Sequence, residues 1–276
     1  MLNITPVIRS LIEKSVTEDL GHGDITTDSL ISESLDGTAS IISKSNGVVS
    51  GLAVSIEVFR IISSSIKVKS IVTDGTTIGN GDEIAQINGS LSGILKGERL
   101  ALNFLQRLSG IATETSRYVD AVKGTNARII DTRKTTPGLR EFEKYSIRTG
   151  GGHSHRFNLS DGILIKDNHI ASTKSFKELI KKAIKQKKGR KITVEVDNLT
   201  QLKKIKGLKF DTVLFDNMKP KNIKAGIKLV KKLYVTEASG GITLKNLKKI
   251  SKTGVDRISI GQLTHSISAI DLKLEI

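Results

Sequence analysis

The sequence contains no cysteine and no tryptophan, and only 4% of its 276 residues are aromatic. The absence of cysteine excludes a disulfide scaffold, a cysteine-ligated metal site and thiol catalysis. Few aromatic rings leave little surface for stacking the bases of a single-stranded nucleic acid. No apolar run approaches the roughly 20 residues that cross a bilayer, and no signal peptide is visible at the N-terminus. We therefore expect a cytoplasmic protein with no membrane partner.

The basic residues are concentrated in the second part of the chain. The whole sequence has 44 basic and 28 acidic residues, a formal net charge of +16. Residues 1–107 hold 9 basic and 12 acidic residues, a net charge of −3, which leaves +19 for residues 108–276. This shift, together with the length, predicts two domains, 1–110 and 111–276, with the return of the last residues to the first domain left open.

Most of the excess lysine is interpreted as solvent-exposed helix surface. The lysines between residues 181 and 188, 203 and 206, and 245 and 249 accompany apolar residues at helical spacing. A solvated helix face needs no anionic partner, so we expect no nucleic-acid ligand despite the charge.

Residues 1–110 are predicted to mix helices and strands. Helical spacing covers Thr5–Asp19 and Leu52–Ile62, and a long helical pattern runs from about Ile94 past Leu108, with Gly110 as a candidate kink. Strand-like runs separated by Asn-Gly and Asp-Gly turns lie at Gly37–Ser43, Ile66–Val72 and Glu83–Ile87.

The second part alternates short apolar runs with helical segments. Six runs rich in β-branched residues start near Arg128, Gly162, Lys191, Thr212, Leu233 and Arg257. Strands alternating with helices predict parallel βαβ units and an α/β fold, most simply an incomplete α/β barrel. No Gly-x-Gly-x-x-Gly follows the first strand, which argues against a dinucleotide-binding fold.

Each predicted strand ends in a polar or glycine-rich cluster. In an α/β barrel the carboxyl ends of the strands meet at one mouth, where catalytic groups gather. The cationic candidates are Arg133, Lys134, Arg148, His155, Arg156 and Lys166. The acidic candidates, whose hard oxygens suit Mg²⁺, are Glu195, Asp197 and Asp216. Gly240, Gly241 and Gly261 leave backbone N–H groups able to approach a phosphate. The sequence therefore predicts a site for a small polyanion and a pyrophosphate-bearing partner.

Two features of this region allow other interpretations. His153, His155 and His169 could hold zinc, although Arg156 and Lys166 would repel a dication nearby. The run Gly150–Gly152 is either a flexible turn or a loop that delivers His155 and Arg156 to the mouth. The cationic flanks favour the second interpretation.

Two segments closely resemble the quinolinate phosphoribosyltransferase family, also called carboxylating nicotinate-nucleotide pyrophosphorylase. They are DTRKTTPGLREFEKYSIRTGGGHSHR (Asp131–Arg156) and LIKDNH (Leu164–His169). Further collinear matches are EDLGHGDITTD, GERLALNFLQRLSGIAT, VEVDNL, LFDNM, EASGGI and GVDRISIGQLTHS. Together they extend the resemblance across nearly the whole chain.

The resemblance implies a fold, a reaction and an assembly. The fold would be an N-terminal α/β sandwich followed by an incomplete, seven-stranded-type α/β barrel. The reaction would join quinolinate to phosphoribosyl pyrophosphate with Mg²⁺, giving nicotinate mononucleotide, pyrophosphate and CO₂ in NAD biosynthesis. The protein would form homodimers or larger homo-oligomers with shared active sites, and Arg99 would be donated across the interface.

The resemblance also implies roles for individual residues. Lys134, Lys166, Glu195 and Asp216 would be catalytic, and Glu195 and Asp216 would hold Mg²⁺. The substrate-binding set would be Arg99, Arg133, Lys134, His155, Arg156, Lys166, Glu195, Asp216, Ser239, Gly240 and Gly261. Ser154 replaces the family's usual Asn, and Asn158 stands where the family commonly has Gly. Because Asn tolerates left-handed dihedrals, we expect the backbone at 158 to be kept.

Three rival interpretations remain at this stage. The first is a relative of the same fold associated with molybdate-transport operons. The second is nicotinate phosphoribosyltransferase, which takes a monocarboxylate and couples to ATP. The third is a basic nucleic-acid-binding protein without catalysis, which predicts loss of the acidic ligands. The Lys166–His169 segment argues against the first, the many carboxylate-binding cations against the second, and Glu195 and Asp216 against the third.

Overall fold

The computed structural model describes residues 1–276, which form two compact units. Unit 1 comprises residues 1–116, 136–151 and 266–276, and unit 2 comprises residues 117–135 and 152–265. Each unit is made of more than one segment of the chain. The predicted domains, 1–110 and 111–276, are each a single segment, and that division stays a prediction. No helix is both long and apolar enough to cross a membrane.

Unit 1 is built around a four-stranded antiparallel sheet in the order β12-β1-β5-β3. The strands of unit 1 are β1 (Asp36–Ser43), β2 (Gly47–Val48), β3 (Lys67–Ser70), β4 (Thr77–Ile78), β5 (Glu83–Ser90) and β12 (Leu272–Glu275). The short strands β2 and β4 pair with each other in a separate two-stranded sheet. Its helices are α1 (Pro6–Leu20), α2 (Ile25–Leu30), α3 (Leu52–Ile62), α4 (Leu91–Ala121, whose last turn belongs to unit 2) and α5 (Arg140–Thr149). The C-terminal β12 pairs with β1, so the end of the chain returns to this unit.

Local sequence signals set the helices of unit 1. The Thr5 side chain accepts a hydrogen bond from the backbone N–H of Ile8 at 3.3 Å, and Pro6 occupies the first helical position. Both features favour a helix start, and the buried stripe Ile8, Ile12 and Val16 gives α1 its inner face. The bounds of α3 are those predicted from periodicity.

Gly110 lies inside α4, which passes this position without interruption. A Cβ at residue 110 would lie 2.3 Å from the carbonyl oxygen of Ser268. The glycine therefore permits close packing of the C-terminal segment on the helix, a long-range contact that gave no signal in the local sequence.

Unit 2 contains a six-stranded parallel sheet in the order β6-β11-β10-β9-β8-β7. The strands are β6 (Arg128–Ile130), β7 (Gly162–Ile165), β8 (Lys191–Val196), β9 (Thr212–Asp216), β10 (Val235–Ser239) and β11 (Arg257–Ser259). The helices are α6 (Asp167–Ala171), α7 (Phe176–Gln186), α8 (Leu199–Ile205), α9 (Pro220–Val230), α10 (Leu244–Ser251) and α11 (Gln262–His265).

The strand order is that of an α/β barrel with one opening. The first strand, β6, pairs with the last, β11, as barrel closure requires. On the other side of β6, His153 forms a single parallel bridge to Ile130 in place of a full strand. The opening therefore lies between His153 and β7, which gives the incomplete, seven-stranded-type barrel that was predicted.

The inner sheet residues and the outer helix faces follow the sequence pattern. The central strands bury residues on both faces, as in the consecutive residues Ile192, Thr193 and Val194 of β8. Of the lysines interpreted as helix surface, all are exposed except Lys187, which is half-buried. The interpretation as helix surface is confirmed for the eight lysines on α7, α8 and α10, whereas Lys187, Lys188 and Lys206 lie just beyond the helix ends.

Candidate active site

A cavity of about 680 Å³ lies within unit 2, where the carboxyl ends of the parallel strands meet. Residues at or just after the carboxyl end of each of the six strands line it. Ten of the predicted substrate-binding residues lie on its wall: Arg133, Lys134, His155, Arg156, Lys166, Glu195, Asp216, Ser239, Gly240 and Gly261. The parallel register brings them together, because it places all the strand ends at one edge.

Two predicted residues lie elsewhere. Arg99 is on α4 of unit 1, in a small surface hollow that also includes Asp19, Asp24 and Lys96. Arg148 is on α5 of unit 1, with its guanidinium 6.0 Å from the centre of the Tyr145 ring. Arg148 was predicted among the cationic candidates at the strand ends, and it is not on the cavity wall.

Arg133 and Arg156 form the cationic side of the cavity. Burial and the nearby positive charge of Arg133 lower the pKa of the Arg156 guanidinium. One nitrogen of Arg156, Nη1, donates to the carbonyl oxygen of Gly162 at 3.0 Å, which fixes the side chain. The Nε of Arg133 is buried without a hydrogen-bond partner. Two adjacent guanidinium groups, one with an unused donor, suit a ligand with more than one negative charge.

The backbone around Lys134 is fixed from two directions. The Thr264 hydroxyl donates to the carbonyl oxygen of Lys134 at 2.7 Å, and the Lys134 N–H donates to Thr132 Oγ1 at 3.0 Å. A Cβ at Gly261 would lie 2.9 Å from Cδ of Lys134. The absence of a side chain at Gly261 therefore leaves room for the lysine stem on the cavity wall.

Glu195, Asp197 and Asp216 form the acidic side, and their oxygens lie within 4.8 Å of one another. Burial raises the pKa of Glu195 to about 6; Lys166 opposes the shift, whereas Asp216, Asp167 and Asp197 add to it. The Lys166 Nζ lies 3.9 Å from Glu195 Oε2. Three clustered carboxylates are a donor set suited to a divalent cation with oxygen ligands, so these residues fit Mg²⁺. Asp197 is exposed and is not part of the cavity wall.

The turn after β10 is shaped by close backbone contact with the turn after β9. Gly240 has a φ of +90°, and a Cβ there would lie 2.2 Å from Asn217 Oδ1. The Asn217 N–H donates to the carbonyl oxygen of Ser239 at 2.9 Å. Both the positive φ and the short contact require glycine at 240, which leaves the backbone of Ser239 and Gly240 exposed to a ligand on the cavity side.

Two buried acids in the cavity wall were not assigned a role from the sequence. Asp131 and Glu237 are 0% and 1% exposed. The Asp131 carboxylate accepts the His155 backbone N–H at 2.8 Å, and Glu237 accepts the Ser259 hydroxyl. Both belong to the polar clusters at the strand ends that the sequence shows. Their burial, which separates them from ordinary turn residues, is visible only in the structure.

The zinc interpretation finds no support in the positions of the histidines. His153 bridges to β6 through its main chain, and His169 Nδ1 accepts the backbone N–H of Lys166 at 3.1 Å. Neither lines the cavity that contains His155. The only cluster of possible metal ligands is the acidic one.

The side chain of Asn158 stabilises its loop through hydrogen bonds, and its backbone is not left-handed. It is not among the residues with positive φ. Its Oδ1 accepts the N–H of Ser160 at 2.9 Å and the Ser160 hydroxyl at 2.6 Å. The expectation that tolerance of left-handed dihedrals matters here was therefore wrong, because an Asx-type turn replaces it.

Two family models match almost the whole chain. They describe the N-terminal domain of quinolinate phosphoribosyl transferase, matching residues 24–109, and its C-terminal domain, matching residues 111–275. The chain belongs to the quinolinate phosphoribosyltransferase family. The resemblance predicted from the motifs is confirmed.

Individual members of the quinolinate phosphoribosyltransferase family align along nearly their full length. The probable carboxylating nicotinate-nucleotide pyrophosphorylase of Bacillus subtilis is 41% identical, with 98% of this chain and 93% of the relative covered. The enzyme of the same name from Mycobacterium leprae is 36% identical, with 97% and 96% covered. The crystal structure of nicotinate-nucleotide pyrophosphorylase from Ehrlichia chaffeensis superimposes with a TM-score of 0.94 at 39% identity, covering 99% of both chains.

Proposed function

We propose that the protein is a quinolinate phosphoribosyltransferase that converts quinolinate and phosphoribosyl pyrophosphate to nicotinate mononucleotide, pyrophosphate and CO₂ in NAD biosynthesis. One observation carries the proposal. The wall of a single cavity includes both the neighbouring Arg133 and Arg156 guanidinium groups and the clustered Glu195 and Asp216 carboxylates. The reaction needs one region for a dicarboxylate and another for a metal-bound pyrophosphate.

For substrate binding, the grouping of like charges on the cavity wall matters more than the net charge of the wall. The cavity wall carries four lysine or arginine residues and five aspartate or glutamate residues, so it is not cationic overall. Arg133 and Arg156 would bind the two quinolinate carboxylates through charge-assisted hydrogen bonds, with His155 as a further donor. Lys134 and Lys166 would place mobile positive charges beside the carboxylates and phosphates.

The phosphoribosyl pyrophosphate would lie along the other wall. Backbone groups of Ser239, Gly240 and Gly261 would contact the 5′-phosphate, since glycine permits close approach of the main chain. Glu195 and Asp216 would hold Mg²⁺ and the ribose–pyrophosphate unit. When bound, Mg²⁺ supplies positive charge that stabilises the departing pyrophosphate.

The chemistry then follows from orientation and electrostatics. The arginines hold the pyridine ring so that its nitrogen faces C1 of the ribose; a new N–C1 bond forms while the C1–O bond to pyrophosphate breaks. Such positioning is worth several kcal/mol, up to about 7–11 in the best cases. Lys134 and Lys166 offset the negative charge that grows on the leaving oxygen. The N-ribosyl pyridinium accepts the electron pair left when CO₂ departs, and a proton from solvent completes the product.

The assembly belongs to the same proposal. Arg99 lies outside the cavity of unit 2, on α4 of unit 1. We propose a homodimer, or a larger homo-oligomer, in the cytoplasm, in which Arg99 of one subunit serves the cavity of its neighbour. Family resemblance supports this arrangement.

Turnover with alternative substrates tests the proposal. Purified protein is incubated with phosphoribosyl pyrophosphate, Mg²⁺ and either quinolinate or nicotinate, and CO₂ and nicotinate mononucleotide are measured. The function is supported if the reaction with quinolinate releases CO₂ and nicotinate mononucleotide in equal amounts and the reaction with nicotinate gives neither product. Turnover of nicotinate without turnover of quinolinate would favour the monocarboxylate-specific rival. Activity with neither substrate would favour the relatives associated with molybdate transport.

A further inference from the structure

The opening in the barrel leaves the segment that carries Arg156 without strand pairing on one side. His153 forms a bridge to Ile130 of β6, but β7, on the far side of the opening, pairs only with β8. Arg156 lies in the connection between His153 and β7. Because no ladder of sheet hydrogen bonds joins this connection to β7, the position of Arg156 depends on hydrogen bonds within the connection itself.

The carboxylate of Asp161 closes this connection into a tight turn. Its Oδ2 accepts the backbone N–H of Phe157 at 2.6 Å and that of Asn158 at 3.3 Å. Phe157 directly follows Arg156, and Asp161 directly precedes β7, whose first residue is Gly162. Asp161 therefore ties the main chain beside Arg156 to the start of a paired strand, and it does so across the barrel opening.

The side chain of Arg156 is tied to the same place. Its Nη1 donates to the carbonyl oxygen of Gly162 at 3.0 Å, one residue beyond Asp161. A guanidinium is a planar fork of five N–H donors, so a fixed main chain and one fixed nitrogen orient the remaining donors. Burial and the positive charge of Arg133 lower the pKa of Arg156, and the negative charge of Asp161 opposes this shift. The contacts of Asp161 thus favour both the position and the charge of Arg156.

We propose that Asp161 is a positioning residue for Arg156, and that its hydrogen bonds across the barrel opening hold the guanidinium in the orientation that binds an anionic substrate group. The identity of that group as a quinolinate carboxylate rests on the proposed function. Asp161 is not part of the cavity wall, so its effect on the substrate passes through Arg156. Phe157 is exposed, so water replaces the carboxylate as the acceptor of its N–H when Asp161 is substituted, and the variants are expected to fold.

Two substitutions of Asp161 test the positioning role. D161A removes the acceptor, so the Kd for quinolinate, measured by calorimetry, and its KM should both rise by about tenfold or more, because the donors of Arg156 are no longer held in place. D161N keeps an acceptor oxygen, so the same constants should change by less than about threefold. The KM for phosphoribosyl pyrophosphate should stay within about threefold of the wild-type value in both variants. A wild-type Kd for quinolinate in folded D161A would contradict the proposal.

Asn158 provides a matched control within the same turn. Its Oδ1 accepts the N–H and the hydroxyl of Ser160, at 2.9 and 2.6 Å, and contacts nothing beside Arg156. N158A removes these two hydrogen bonds and keeps the contact between Asp161 and Phe157, so the Kd for quinolinate should stay within about threefold of the wild-type value. Equal increases in N158A and D161A would mean that any loosening of the turn weakens binding, and would overturn the proposal. Equal increases in D161N and D161A would assign the effect to charge, which also overturns it.

Hydrogen exchange of the Phe157 amide tests the turn without any assay of activity. This amide should exchange more slowly in the wild type and in D161N than in D161A, since only the first two supply a side-chain acceptor. Equally slow exchange in D161A would overturn the positioning role. If D161A does not fold, a Kd for quinolinate raised more than about tenfold in folded D161N overturns that role. A wild-type protein that neither binds nor turns over quinolinate would refute the proposed function, whereas the exchange rates would still report on the contact between Asp161 and Phe157.

Discussion

The contact between Gly240 and Asn217 predicts how substitution of two adjacent glycines will differ. Gly240 and Gly241 both have positive φ, +90° and +57°. A Cβ on residue 240 would lie 2.2 Å from Asn217 Oδ1, 2.5 Å from its Cγ and 2.8 Å from its backbone nitrogen, whereas the nearest atom to a Cβ on residue 241 is 3.9 Å away. Backbone strain is common to both positions, and steric overlap is confined to the first.

These distances set the expected magnitudes. A left-handed conformation costs an alanine about 1–2 kcal/mol, which is the whole expected loss for G241A. Overpacking adds about 1–3 kcal/mol at position 240, so G240A should lose roughly 2–5 kcal/mol. Thermal unfolding followed by circular dichroism should give a Tm several degrees lower for G240A than for G241A, at about 2–4 °C per kcal/mol.

A second-site change makes the prediction specific. N217G removes the side-chain atoms nearest to the added Cβ and suits the φ of +51° at residue 217. The difference between alanine and glycine at 240 should therefore shrink in the N217G background. In the enzyme assay G240A should raise the KM for phosphoribosyl pyrophosphate more than the KM for quinolinate. Equal Tm values for G240A and G241A, or no change in the N217G background, would refute the steric argument.

Three further predictions concern charge and assembly. R133A and K166A should each lower kcat/KM by about 10- to 150-fold for each charge-assisted hydrogen bond lost, with unchanged Tm, because each such bond is worth about 1.5–3 kcal/mol; near-wild-type rates would refute their roles. Because burial raises the pKa of Glu237, the folded state holds that proton more tightly than the unfolded state does. Wild-type stability should therefore fall as pH rises through the folded pKa, so the Tm of E237Q relative to wild type should increase from about pH 5 to pH 8; a constant difference would contradict this. Mixing R99A with R133A subunits should restore part of the activity through hybrid dimers, and confirmed subunit exchange without rescue would argue against a shared site.

Most of the secondary structure could be predicted from the sequence because helix caps, turn residues and apolar periodicity act between residues that are close in the chain. The cap at Thr5 and the apolar stripe of α1 define that helix, and the predicted bounds of α3 agree with the structure. The predicted start of the fifth parallel strand near Leu233 is two residues early, since β10 begins at Val235. Lys231 and Lys232 both adopt positive φ, and the Leu233 N–H donates to the carbonyl oxygen of Val230, so the turn extends further than the apolar pattern suggests.

The candidate site was predictable where strand ends determine position, and less so where tertiary contacts do. Arg133, Glu195 and Asp216 meet because parallel strands share one carboxyl edge. The packing role of Gly110 depends on a segment more than 150 residues away in sequence. The surroundings of His155 include a backbone donor to Nδ1 and a buried acid 3.7 Å from Nε2, and neither can be identified from residue type alone.

The central claim is that one cavity joins a dicarboxylate to a pyrophosphate-activated ribose and releases CO₂. The most direct measurement uses quinolinate labelled with ¹³C in its 2-carboxylate, together with phosphoribosyl pyrophosphate and Mg²⁺, and follows ¹³CO₂ and nicotinate mononucleotide over time. The account predicts equal amounts of the two products, with neither formed when phosphoribosyl pyrophosphate is omitted. Nucleotide formed from nicotinate alone, or no nucleotide from quinolinate by folded protein, would contradict it.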